Sequence, residues 1–166
     1  MQRLAGRIDA LTEKDERALG RVREMAFFRR SAAAGLHAIC SEFATELNGL
    51  LDRCAIELDP SSYGETSFRE EGTNLIQINA RGRILQIAFA ATPELLSTEE
   101  FRVPYTLAGT VRAFNQELLE KDVIEEQLIF YTIEGQRRMW RFFDARTYRS
   151  GPFDVEYLIT LMEQLI

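Results

Sequence analysis

The stretch from Glu126 to Ala145, EQLIFYTIEGQRRMWRFFDA, decides how the chain is read. Two runs rich in aromatic and β-branched residues flank Gly135-Gln136, the signature of a β-hairpin. A two-residue loop sets Tyr131 opposite Trp140 and Ile129 opposite Phe142. On the other side it sets Leu128 opposite Phe143 and Thr132 opposite Met139. Both faces are then substantially apolar, so this sheet has to be covered on both sides. One side can take a helix. The other is expected to take the C-terminal helix, a subunit partner or a ligand.

A second hairpin precedes it. Residues 74–80 and 83–90 flank Arg81-Gly82, with Ile76 facing Ile87, Ile78 facing Leu85 and Gln77 facing Gln86. Here one face is apolar and the other largely polar. Residues 64–71 could add a strand before this pair. Thr92-Pro93-Glu94-Leu95-Leu96 reads as a short helical turn opened by Pro93. Residues 105–121 fit helix or strand, and the reading leans to a strand at 105–114 followed by a helical turn.

Residues 4–58 read as helix nearly throughout. Leu4, Ile8, Leu11, Ala18, Val22, Met25, Ala32, Leu36, Ile39 and Phe43 recur at helical spacing. Their three-four rhythm is close to a heptad, interrupted at the seam by Asp15 and Arg29. Thr12, with Asp15 and Glu16 after it, has the form of a helix start, which makes residues 1–11 a separate or frayed extension. Phe27 and Phe28 point off the seam and need a further surface, from this chain or from another copy. Beyond Ser150-Gly151-Pro152 the chain closes with a helix from Asp154.

The expected architecture is therefore α+β: a long N-terminal helix packed on an antiparallel sheet of about five or six strands, with a C-terminal helix. Residues 1–166 are read as a single domain, since no repeat or linker divides them. This order of elements is similar to that of small acidic secretion chaperones, in arrangement alone; no residue motif carries it, and the first helix is far longer.

Composition narrows the function classes. The 166 residues are 46% hydrophobic, with a net charge of −6. Such a surface repels phosphate backbones on average, so nucleic acid is not the expected partner. No stretch approaches the roughly 18 apolar residues of a membrane span, and no signal peptide is visible. A membrane is therefore not expected, and the cytoplasm is the expected location. Cys40 and Cys54 stand fourteen positions apart, roughly 21 Å along a continuous helix, too far for a disulfide. Free thiols in a reducing compartment follow.

No phosphate-binding glycine loop, nucleophile elbow or metal-binding HExxH stands in the sequence. The single histidine, His37, leaves no multi-histidine metal site, so no metal and no cofactor are expected. His37 lies three residues before Cys40 on the helix. An imidazole-activated thiol is one reading, and a histidine flanking a core cysteine is the plainer one. Glu117, Glu120, Asp122, Glu125 and Glu126 form an acidic run, and Arg137, Arg138, Arg141, Arg146 and Arg149 a basic one. Cross-strand ion pairs, Glu134 with Arg137 and Glu125 with Arg146, are their simplest use. The aromatic side chains around the second hairpin, Phe130, Tyr131, Trp140, Phe142, Phe143 and Tyr148, suit a core with cation–π edges better than a nucleobase platform.

Three functional expectations follow. The first is a non-enzymatic interaction module, homodimeric, with Phe27 and Phe28 in its interface; a binder of another protein is its variant. The second is a carrier or sensor of a small ligand, whose pocket draws on Tyr131, Trp140, Arg141, Asp144 and Arg146. The third is an enzyme using Asp144, Arg146 and Tyr148. No catalytic residue is assigned, because nothing at this spacing specifies a reaction.

Overall fold

A computed structural model describes residues 1–53, 55–116 and 122–166, and of 122–125 the backbone alone. Helix α1 spans Gln2–Leu50. Seven strands follow: β1 (Ile56–Asp59), β2 (Asn74–Ala80), β3 (Arg83–Leu96), β4 (Tyr105–Asn115), β5 (Asp122–Glu134), β6 (Arg137–Asp144) and β7 (Arg149–Pro152). Helix α2 spans Val155–Leu165 and closes the chain. The fold is the expected α+β arrangement. The strands form one antiparallel sheet in sequence order, each paired with the next.

Both hairpins take the register read from the sequence. Ile76 pairs with Ile87 and Ile78 with Leu85 across Arg81-Gly82. Tyr131 pairs with Trp140, Ile129 with Phe142, Leu128 with Phe143 and Thr132 with Met139. Arg81 and Gly82 both have positive φ, +53° and +89°, the backbone a tight two-residue hairpin turn requires. Glu134 lies opposite Arg137 as the register required, but the expected ion pair between their side chains is not formed; the ion pairs among the described residues are Arg17 with Glu13 and Arg29 with Glu70. The Glu125–Arg146 pairing, residues 117–121 and Cys54 lie outside the described residues.

The sheet has seven strands rather than five or six. Residues 64–71 form no strand, and two others appear instead. β1 occupies positions read as the end of the first helix, because Leu51 and Leu58 fall in phase with the helical stripe. The helix in fact stops at Leu50, and Leu51 is extended, with φ −89° and ψ 133°. Asn48 secures the change of direction: its side-chain amide donates to the Ile56 carbonyl at 2.8 Å and its amide oxygen accepts the Ile56 N–H at 3.1 Å. β7 is four residues long, too short to show a period. The helical turn expected at 92–96 is likewise strand. β3 runs on to Leu96, and the ladder shifts register between Ala91 and Leu96, which accommodates Pro93 without a ladder N–H. At the N-terminus nothing interrupts the helix at Thr12, whose hydroxyl donates to the Ile8 carbonyl one turn back, at 3.0 Å.

Both helices lie on one face of the sheet. Leu36, Cys40 and Phe43 of α1 and Leu158, Leu161 and Met162 of α2 share a core with Ile76, Ile87, Leu107 and Ile129. Asp154 caps α2 by accepting the Tyr157 N–H at 3.0 Å. The other face is covered by neither helix but by the β3–β4 connection. Thr98 folds that segment back, its hydroxyl accepting the Phe101 N–H at 3.0 Å. Phe101 then stacks on Phe130 with centroids 4.5 Å apart and packs with Tyr105 and Phe143. The chain thus covers both sides of the Trp140 strand itself. The expectation of C-terminal helix, partner or ligand on the second face is corrected on this point.

Candidate functional site

The first helix is two objects in one rod. From Met25 to Leu47 one side lies on the sheet. Before Met25 every residue is exposed, a projection of about 36 Å at 1.5 Å per residue. Leu4, Ile8, Leu11, Leu19 and Val22 are all more than half exposed. Taking about 100° per residue, these five fall on the same side of the rod as Arg29, Ala33, Leu36 and Cys40, which are buried. The stripe that faces the sheet therefore continues past its edge with nothing against it.

The point of departure is built around Arg29. Its Nε donates to Thr106 Oγ1 at 2.8 Å, one Nη to the Thr92 carbonyl at 2.5 Å and the other to Glu70 in an ion pair. Thr106 can reach inward because β4 shifts register between Tyr105 and Leu107. The polar interruption of the seam thus pins the helix to the ends of β3 and β4. Asp15, the other interruption, is exposed. Of the two proposed interface residues, Phe28 is met by this chain: the Arg138 guanidinium lies 3.7 Å from its ring centroid. Phe27 is 59% exposed and borders a groove of about 450 Å³ with Tyr63 and Phe68.

The five proposed ligand-binding residues are not brought together. Tyr131 and Trp140 border a cleft of about 330 Å³ beside α1. Trp140 is buried, its indole N–H donating to the Ala32 carbonyl at 2.8 Å, so the ring packs the helix to the sheet. Burial also pushes the Tyr131 hydroxyl up, against an opposing effect of Arg138. Arg141 points to the opposite face by strand alternation and donates to Ser150 Oγ at 3.4 Å. Asp144 and Arg146 border a separate cleft of about 770 Å³ beneath α2, floored by Phe142 stacked on Tyr157 at 4.1 Å.

That larger cleft holds mixed charge: Arg146 and Arg149 with Asp144, Asp154 and Glu156. Asp144 works as a turn residue. It accepts the Thr147 hydroxyl at 2.8 Å and the Arg146 N–H at 2.9 Å, and these bonds hold its carboxyl below the usual range. Tyr148 turns away, its ring edge against Phe143 on the other face of the sheet. Asp144, Arg146 and Tyr148 do not converge on one cleft.

His37 and Cys40 are also accounted for. His37 Nε2 donates to the Pro60 carbonyl at 2.7 Å, and its ring stacks on Tyr63. Burial pushes the Cys40 thiol up to about 12, the reverse of an activated nucleophile. Among the described residues, no three His, Cys, Asp or Glu side chains gather as a metal site would require, and no helix is long and apolar enough to cross a membrane. Comparison with protein families, with curated proteins and with solved structures finds no match to this chain.

Proposed function

We propose that this protein is a non-enzymatic interaction module that associates with a second copy through the projecting half of α1. The observation that carries the reading is the shared stripe: one side of one helix is core for half its length and, interrupted by Asp15, bare for the other half. A face of more than three heptads is long enough to form a coiled-coil seam. Exposed apolar surface of that extent on a helix marks an interaction site.

Charge favours a second copy as the occupant. Residues 1–26 carry six Lys or Arg and five Asp or Glu, which leaves fourteen and twenty-one for residues 27–166, a net of −7. The acidic bodies repel one another, whereas two nearly neutral helices can approach closely. Pairing along the projection joins the copies while keeping the bodies apart. Light scattering of the full chain at micromolar concentration tests this. A particle of twice the chain mass is expected, and a single-chain mass defeats the reading.

A further inference from the structure

We infer that the two copies pair antiparallel, each projecting helix ending against the β3 and β4 strand ends of the other's sheet, a geometry that rests on the self-association just proposed. The argument is steric. Leu4, Val22 and Cys40 are spaced by eighteen residues, about five turns each, so they lie on one line of the rod. Cys40 on that line is fully buried against the sheet. The body of each protomer therefore sits on the same side of its helix as the bare stripe.

In a parallel pair the two stripes face each other along their whole length. Both bodies would then have to occupy the space between the helices at the same level, and they collide. In an antiparallel pair each body lies beyond the other's tip, and the space between the projecting halves is free. The overlap is limited by the point where the partner's tip meets the strand ends. That point is Met25, the first residue of α1 that is partly buried.

This limit also fixes the register. With Met1 level with the partner's Met25, residues whose numbers sum to 26 stand opposite. Leu4 meets the partner's Val22, Ile8 meets the partner's Ala18, and Leu11 meets the partner's Asp15. These are seam positions facing seam positions, as knobs-into-holes packing requires; Leu19, at the border of the stripe, stands level with the partner's Arg7. The longest overlap that avoids a clash is thus also one in which the stripes interdigitate. Asp15 is the polar position in this seam. It lies within one turn of the level of the partner's Lys14, close enough for a long side chain to reach it.

Disulfide trapping decides the orientation. Cys54 is replaced by Ser so that the buried Cys40 is the one native thiol left. Leu4→Cys, Val22→Cys and the double variant are then oxidised under mild conditions. Leu4 and Val22 are exposed, so the substitutions leave the core untouched. Within one chain they stand about 27 Å apart, beyond the reach of a disulfide. The double variant is expected to form a covalent dimer and each single variant to remain uncrosslinked. A covalent dimer of Leu4→Cys alone would mean parallel pairing and overturn the inference. So would a dimer by light scattering that yields no crosslink in the double variant. A monomer by light scattering would instead remove the self-association on which the geometry rests.

Discussion

Val22 and Cys40 lie on one line of α1, about five turns apart, yet Val22 is 65% exposed and Cys40 is 0% exposed. Nothing in the local sequence separates them. The sheet simply ends between them, at the level where Arg29 is tied to Thr92, Thr106 and Glu70. Helical propensity and tertiary packing therefore act on different halves of the same element. An isolated helix of the projecting length is marginal in water; here it is nucleated by the docked half and completed by the proposed partner.

Asp15 stands in the seam of the projecting half. Replacing it with Leu removes a charge from an apolar interface and adds buried area on both chains. Asp15→Leu is expected to tighten association at least about tenfold, equivalent to about 1.4 kcal/mol. A dilution series followed by light scattering reads this directly. Unchanged or weaker association would place Asp15 outside the contact.

The Arg29 seat should dominate the attachment of α1 to the ends of β3 and β4. Arg29→Met keeps the aliphatic bulk but leaves buried Thr106 and the Thr92 carbonyl without their donor. A loss of about 2–4 kcal/mol is expected in urea unfolding. A change below about 0.5 kcal/mol would show that the three bonds do not hold the helix.

Two glycines should respond in opposite directions. At Gly109, in β4, an added Cβ would lie 2.2 Å from the Ala88 carbonyl oxygen and 2.7 Å from Phe89 Cβ. The obstruction includes backbone, so Gly109→Ala is expected to destabilise by about 2 kcal/mol or more. At Gly35, in the docked half of α1, nothing lies within 4 Å. Gly35→Ala is expected to stabilise by about 0.5–1 kcal/mol through helix propensity. Thermal or denaturant unfolding checks both.

Cys40 makes stability depend on alkaline pH. Its ordinary value is 9.0, and burial raises it to about 12 in the folded chain. Below pH 9.0 both states hold the proton, and the contribution is fully present. Between 9.0 and about 12 the unfolded state binds fewer protons, so stability falls as pH rises, by at most about 1.4 kcal/mol per pH unit from this group. Tyr63, Tyr131 and Tyr157 are raised by burial as well and add to the loss above pH 10. Cys40→Ala should flatten the decline between pH 9 and 10; an unaltered slope would assign it elsewhere.

The parts of the fold legible in the sequence are those set by short-range geometry. A two-residue loop fixes the register of a hairpin, and this is why Ile76–Ile87 and Tyr131–Trp140 could be paired from residue order alone. The misread parts are those where a short pattern fits two structures. Leu51 and Leu58 continue a helical stripe and also suit a loop and a strand; the choice is made by Asn48 bonding to Ile56. Pro93 can open a helix or sit at a bulge, and β4 decides. The cover of the second sheet face depends on Phe101, a lone aromatic in a polar connection with no period to mark it.

For the candidate site, the seam and its two interruptions were visible, but their fates were not. Arg29 finds Glu70 forty-one positions away and becomes core, while Asp15 stays exposed. Phe28 finds Arg138, and Phe27 does not find a comparable cover. Periodicity reports that a face is apolar; where the sheet ends decides whether the chain covers that face itself.

The most direct measurement is sedimentation equilibrium on three forms of the 166-residue chain: the wild type, Val22→Asp and Leu75→Asp. Leu75 is an exposed apolar residue of the sheet, off the helix stripe, and serves as the control. The wild type and Leu75→Asp should sediment at twice 19.1 kDa and Val22→Asp at 19.1 kDa. A wild type at 19.1 kDa, or a Val22→Asp variant that remains dimeric, would contradict the account.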